Sequence, residues 1–181
     1  ERELSLIDEV AAKYGKVQNV ILRITPGVDP HTHAKIATGN VDSKFGVSIE
    51  TGQADGFVKE ALSKKNINLL GYHCHVGSQS FDPQPFLDAA DIMFRFIADM
   101  KAKHGFVAEV LNLGGGFGVR YLPEQENLDM GFMFTKIAEN ASRIQAIESG
   151  QEIPEYWEAA VADKIEAIKA NQNEGGVNTT S

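Results

Sequence analysis

Two stretches of this chain place chemistry-bearing residues where an apolar run gives out. The first reads Gly71-Tyr72-His73-Cys74-His75-Val76-Gly77-Ser78-Gln79, the second Leu111-Asn112-Leu113-Gly114-Gly115-Gly116-Phe117-Gly118. In each, the run breaks into small and polar residues, and a helical pattern follows the loop. A ring-sized side chain (His75), a hydroxyl (Ser78) and side-chain-free backbone (Gly114, Gly115 and Gly116) therefore fall at the same end of neighbouring strands. Three glycines in a row are costly unless backbone must approach something closely or take a positive φ. Exposed N–H groups at such a loop, beside the positive end of a helix, make a phosphate site. A flat aromatic cofactor carrying a phosphate would use all of these groups.

His73 and His75 lie two apart on a strand and share a face, with Cys74 on the other. Three readings of the pair stand side by side. They could be structural histidines hydrogen-bonded at a barrel rim. They could be ligands in a metal-dependent hydrolase, which needs further His or carboxylate ligands, His31 and His33 being the candidates. Or one imidazole stacks on a cofactor ring. The glycine run alone is equally compatible with a flexible loop; its pairing with His-x-His-Val-Gly-Ser is what favours a phosphate.

The elements that must position these groups follow from periodicity. Leu4, Ile7, Val10, Ala11 and Tyr14 recur at helical spacing, with Gly15 as the C-cap. Strands are expected at Val17 to Ile24, Ile67 to His75 and Val107 to Leu113, with helices at 51–65 and from Pro83 and Pro85 to His104-Gly105. The long helix presents Phe86, Ala89, Ala90, Met93, Phe94, Ile97 and Met100 on one face. Residues 25–44 form a long polar loop, a length more often functional than idle, and Phe45-Gly46-Val47 is a short apolar stop. Alternating helices and near-continuously apolar strands imply βαβ units and a parallel sheet. Beyond Tyr121 the pattern changes to helices at Phe132 to about Ile147 and Tyr156 to about Ala170, then a polar, glycine-rich tail expected to be disordered.

Composition limits the function classes. The net charge of −8 argues against a nucleic-acid grip. That charge is uneven: residues 1–123 hold 13 basic and 14 acidic residues, residues 124–181 hold 4 and 11. The single Cys74 excludes an internal disulfide framework and fits a reducing cytoplasm. No secretory signal or membrane span is visible. At 181 residues the chain is shorter than the roughly 250 of a complete eight-fold barrel. It opens on Glu1 in a helical pattern, so it is expected to be a piece of a longer sequence.

These residues resemble the diaminopimelate decarboxylases, members of the pyridoxal-phosphate (PLP) decarboxylases with an alanine-racemase-like barrel. The resemblance runs through Arg23-Ile24-Thr25-Pro26-Gly27-Val28-Asp29-Pro30-His31-Thr32-His33, Thr38-Gly39, Ser43-Lys44-Phe45-Gly46, Gly71 to Asp82 and Leu111 to Tyr121, within residues 1–139. It implies an α/β fold: a partial (β/α)8 PLP-binding barrel of about three parallel βα units, followed by C-terminal helices. It implies that His75 stacks on the pyridine ring of pyridoxal 5'-phosphate. Ser78 and the N–H groups of Gly114, Gly115 and Gly116 would hold the phosphate. Arg23 would sit near the cofactor and set charge under the ring, the alternative being an internal salt bridge. His31 and His33 receive no chemical role, Lys44 is structural or faces a partner subunit, and Cys74 is a small core residue.

The implied reaction is PLP-dependent decarboxylation of meso-2,6-diaminopimelate to L-lysine, by an enzyme that is a homodimer at full length. Two motifs of the family have no counterpart in these residues: the Tyr-Ala-x-Lys-type segment with the Schiff-base lysine, and Glu-Pro-Gly-Arg. In the place of the latter stands Ile147-Glu148-Ser149-Gly150-Gln151-Glu152-Ile153-Pro154-Glu155. The expectation is a fragment, inactive in isolation: a barrel portion at 1–139, a helical extension unlike the family at 140–170 and a tail at 171–181. A metal-dependent hydrolase and a non-catalytic interaction module are the competing readings.

Overall fold

The computed structural model describes residues 2–28, 45–125 and 127–148. The chain divides into two compact units, Glu1–Leu128 and Asp129–Ser181. The expected helix at Tyr156 to Ala170, the tail at 171–181, and His31, His33 and Lys44 all lie outside the described residues.

In the first unit the order is α1 (Arg2–Lys13), β1 (Gln18–Thr25), β2 (Val47–Ser48), α2 (Gln53–Ser63), β3 (Ile67–His73), α3 (Gln84–His104) and β4 (Val110–Asn112). The strands make one parallel sheet in the order β2-β1-β3-β4. This is the parallel sheet expected from the alternating pattern, and it fits the partial barrel that the resemblance implies. One strand is added: Val47 and Ser48, taken from sequence as an apolar stop, pair with Ile24 and Thr25. Two residues are too few to show the alternation by which a strand is recognised. The third expected strand, Val107 to Leu113, shortens to Val110–Asn112, which pair with Gly71 to His73.

The pleat sorts side chains into two faces. Leu22, Ile24, Tyr72 and Cys74 are buried on the helix-covered face, in a core with Val58, Met93, Phe96 and Met100. Arg23, His73 and Asn112 occupy one register row on the other face. On α3 the buried stripe is Pro85, Phe86, Ala89, Ala90, Met93, Phe96 and Met100, so Phe96 takes the core position expected for Phe94. Its ring meets Tyr72 edge-on at 5.1 Å, and Phe106 meets Tyr72 from another side at 5.9 Å. The α3 ends follow their sequence signals. Asp82 Oδ1 accepts the Gln84 N–H at 2.9 Å, and Gly105, at φ 66°, donates its N–H to Lys101 O. Asp55 on α2 accepts from His104 at 2.6 Å and Lys103 at 3.2 Å, tying α2 to the end of α3.

In the second unit, α4 (Met130–Glu148) starts where Asp129 Oδ1 accepts the Phe132 N–H at 2.8 Å, a side-chain N-cap. No helix among the described residues is long and apolar enough to cross a membrane.

Candidate functional site

The site is built where β3 and β4 end. Strand pairing does not stop at His73 and Asn112: the Cys74 N–H donates to Asn112 O at 2.9 Å. The two loops then separate and rejoin. Ser80 and Phe117 form a parallel bridge, with Ser80 N donating to Gly116 O at 3.0 Å and Gly118 N to Ser80 O at 2.7 Å. The side-chain amide of Gln79 brackets Val119, donating to its carbonyl at 2.9 Å and accepting its N–H at 3.3 Å. Beneath them, the rings of Phe86 and Phe117 pack at 4.8 Å.

Glycine is required because the loops touch through backbone. A Cβ on Gly116, at φ 100°, would lie 1.7 Å from Gly77 O and 3.2 Å from Ser78 Cα. One on Gly114, at φ 78°, would lie 2.6 Å from Cys74 O and 3.0 Å from His75 Nδ1. Ser78 is thereby seated against Gly116, and the His75 ring against Gly114. Gly115 differs: a Cβ there meets nothing within 4 Å among the described residues. The outer two glycines close the loops on each other, and the middle one faces open space.

Hydrogen-bond accounting separates the three amides. Gly114 N–H is engaged, donating to Asn112 Oδ1 at 2.8 Å, so of the three amides expected to hold a phosphate this one has a protein acceptor. Among the described residues, neither the Gly115 nor the Gly116 N–H has an acceptor, and the Ser78 hydroxyl has no partner. Two amides and a hydroxyl without protein partners, on loops held against each other through backbone, are donors available to an anion. They fit the phosphate of PLP, and the half-buried His75 at the same loop supplies a ring beside it.

Arg23 and His73 lie in the next row down the sheet. Arg23 Cζ stands 5.1 Å from the centroid of the Phe45 ring, and no described carboxylate pairs with its guanidinium. Burial, then the charges of Arg23 and His75, hold the His73 imidazole below the usual histidine range. His73 is thus held neutral beside a permanent cation. Cys74, on the opposite face, is fully buried, and burial pushes its thiol up to about 11.

Sequence reasoning missed Gln79 as a clamp, Asn112 as the acceptor for Gly114, and Phe81, whose ring lies 2.8 Å from a Cβ built on Gly118. All three are adjacent to the motifs already singled out. Only the bridging of the loops, which no local pattern encodes, gives them their roles.

The comparisons with known proteins identify the family. Residues 1–155 match the family described as pyridoxal-dependent decarboxylase, pyridoxal binding domain. The chain belongs to that family. The match decides against a metal-dependent hydrolase, and it continues past residue 139, the bound given for the resemblance. Among the described residues no group of three or more His, Cys, Asp or Glu gathers to hold a metal. The diaminopimelate decarboxylase of Bacillus subtilis is 43% identical to this chain over 155 residues, 86% of the chain and 35% of the relative. The crystal structure of diaminopimelate decarboxylase from Methanocaldococcus jannaschii superposes with a TM-score of 0.66 at 35% identity, covering 84% of this chain and 34% of that one. The Helicobacter pylori enzyme complexed with L-lysine gives a TM-score of 0.68 at 27% identity, covering 78% and 35%. The chain thus spans about a third of the length of the relatives it matches.

Proposed function

We propose that this chain supplies the phosphate- and ring-holding part of a PLP-dependent diaminopimelate decarboxylase, which releases carbon dioxide from meso-2,6-diaminopimelate to give L-lysine. The observation that carries the reading is the set of donors without protein partners, the Gly115 and Gly116 N–H groups and the Ser78 hydroxyl, on two loops that close on each other at Gly77 and Gly116. The relatives' names supply the substrate, and the family supplies the cofactor.

Each residue has a task in this proposal. Gly115 N–H, Gly116 N–H and Ser78 Oγ donate to phosphate oxygens; charge-assisted bonds of this kind are roughly twice as strong as neutral ones. Gly114 holds no phosphate but keeps its loop shaped through Asn112. His75 covers one face of the ring and excludes water from it. Arg23 supplies positive charge in the row beneath, and His73, kept neutral by its neighbours, adds none at neutral pH. PLP, when bound, supplies the electron sink for breaking the bond to the carboxylate. Held by its phosphate, the cofactor keeps one orientation, which is how positioning lowers the barrier. The working enzyme is proposed to be a cytoplasmic homodimer. The 181 residues taken alone, which hold no match to the Schiff-base lysine segment, bind without decarboxylating.

The test compares ligands that differ only in the phosphate. The purified chain is titrated with PLP and with pyridoxal, and inorganic phosphate is added as competitor. Tighter binding of PLP, reversed by phosphate and weakened in Ser78→Ala and His75→Ala, is the expected result. Equal affinity for PLP and pyridoxal would overturn the reading, and lysine release by the chain alone would overturn the claim that it only binds.

A further inference from the structure

Gln79 has no role in the scheme above, yet it is the residue on which the two site loops depend. Among non-glycine described residues it has the positive φ, 57°, a conformation that costs about 1 kcal/mol or more for an ordinary side chain. Nothing in its own backbone hydrogen bonding calls for that bend. What the bend achieves is on the page: it turns the Gln79 side chain across the neighbouring loop, where the amide holds both polar groups of Val119, at 2.9 and 3.3 Å. One residue later Ser80 makes the bridge to Phe117, and one residue earlier stands Ser78. The chain is therefore pinned at the kink by the Gln79 amide and directly after it by the Ser80 bridge. Gly77 and Ser78, which meet Gly116, directly precede those pins.

We propose that Gln79 is a positioning residue for the anion cradle: its amide locks the His75–Ser80 loop onto the Gly114–Val119 loop. The phosphate donors are thereby fixed in place before any ligand arrives. This rests on the functional reading above and deepens it. A cradle ordered in advance binds its anion without the loss of freedom that a loose pair of loops must accept.

The test separates the clamp from the kink. Gln79→Gly and Gln79→Asn both favour a positive φ, so both keep the kink. Neither reaches Val119: glycine has no side chain, and asparagine is one methylene short. In the full chain both are expected to fold and to melt within roughly 5 °C of the unmodified protein, the lost bonds being partly offset by the relieved φ. The Val119 amide is expected to lose hydrogen-exchange protection, and PLP and inorganic phosphate to bind about tenfold more weakly with pyridoxal unaffected. If the unmodified chain binds PLP in a phosphate-dependent way and both variants bind it equally well, the clamp proposal is overturned while the functional reading stands. Phosphate-independent binding by the unmodified chain would overturn both.

Discussion

Alanine at Gly115 and at Gly116 should do opposite things, although the two residues are neighbours in one motif. At Gly116 the new methyl would sit 1.7 Å from Gly77 O and 2.8 Å from Gly77 C, both backbone atoms that cannot rotate aside. The φ of 100° adds about 1–2 kcal/mol for any residue with a Cβ. Moving the loop to relieve the clash breaks the Ser80 N to Gly116 O bond, worth about 1 kcal/mol. The sum is about 2–3 kcal/mol, or a melting temperature lower by roughly 4–12 °C for a protein of this size. At Gly115 the methyl meets nothing within 4 Å and the φ is not left-handed. That substitution should be neutral or stabilise by about 0.4–1 kcal/mol, through the narrower unfolded ensemble. Its methyl, however, enters the space assigned to the phosphate. Losing even one charge-assisted bond of about 1.5–3 kcal/mol should weaken PLP binding at least tenfold. The assay is paired: thermal unfolding, and PLP titration, on both variants. If Gly115→Ala binds PLP as well as the unmodified chain, the open space is not the phosphate site. If Gly116→Ala melts with Gly115→Ala, the loops do not interdigitate as described.

Other consequences can be measured on the same protein. Gly71→Ala places a methyl 1.9 Å from Val110 O, between β3 and β4, and should cost more than about 3 kcal/mol in urea unfolding; a midpoint unchanged from the parent would contradict the strand spacing. Tyr72→Phe removes a fully buried hydroxyl that has no partner among the described residues, so it should hold or raise stability by up to about 1 kcal/mol, and a clear loss in thermal unfolding would mean the hydroxyl is satisfied. Asp55 has its carboxyl held below the usual range by hydrogen bonds from His104 and Lys103. Its folded value lies under its unfolded one, so the stabilisation is full above the unfolded value, near 4, and is lost as pH falls through the folded value. Acid titration of stability should therefore fall less steeply in Asp55→Asn than in the parent, and parallel curves would count against the contact. Cys74, buried and with its thiol at about 11, should react with a disulfide reagent at pH 8 only as fast as the chain unfolds, and prompt labelling of the native protein would refute its burial.

How much of this was visible in the sequence depends on the range of the interaction concerned. The end of α3 was legible because Gly105 acts within one turn, and the strands because Val20, Leu22 and Ile24 sit in an apolar run that needs no knowledge of its neighbours. The cradle was half legible. Residue type alone marks Gly114 to Gly116 as backbone that must approach something, but not what it approaches. The structure gives two answers within three residues: protein for Gly114 and Gly116, open space for Gly115. That division is set by Gly77 and Cys74, about forty positions away, and no periodicity of 2 or 3.6 reaches so far. Gln79 was opaque for the same reason and one more. A glutamine following a serine looks like any polar loop residue, and its meaning lies in a φ of 57° and in the backbone of Val119. The chemistry of the site thus rests on residue types that the sequence shows, and its geometry on contacts between two loops, the Gln79 clamp among them. A binding site of this kind is best tested at the contact: a change at Ser78 removes a donor, while a change at Gln79 leaves every donor in place and asks whether their arrangement was what mattered.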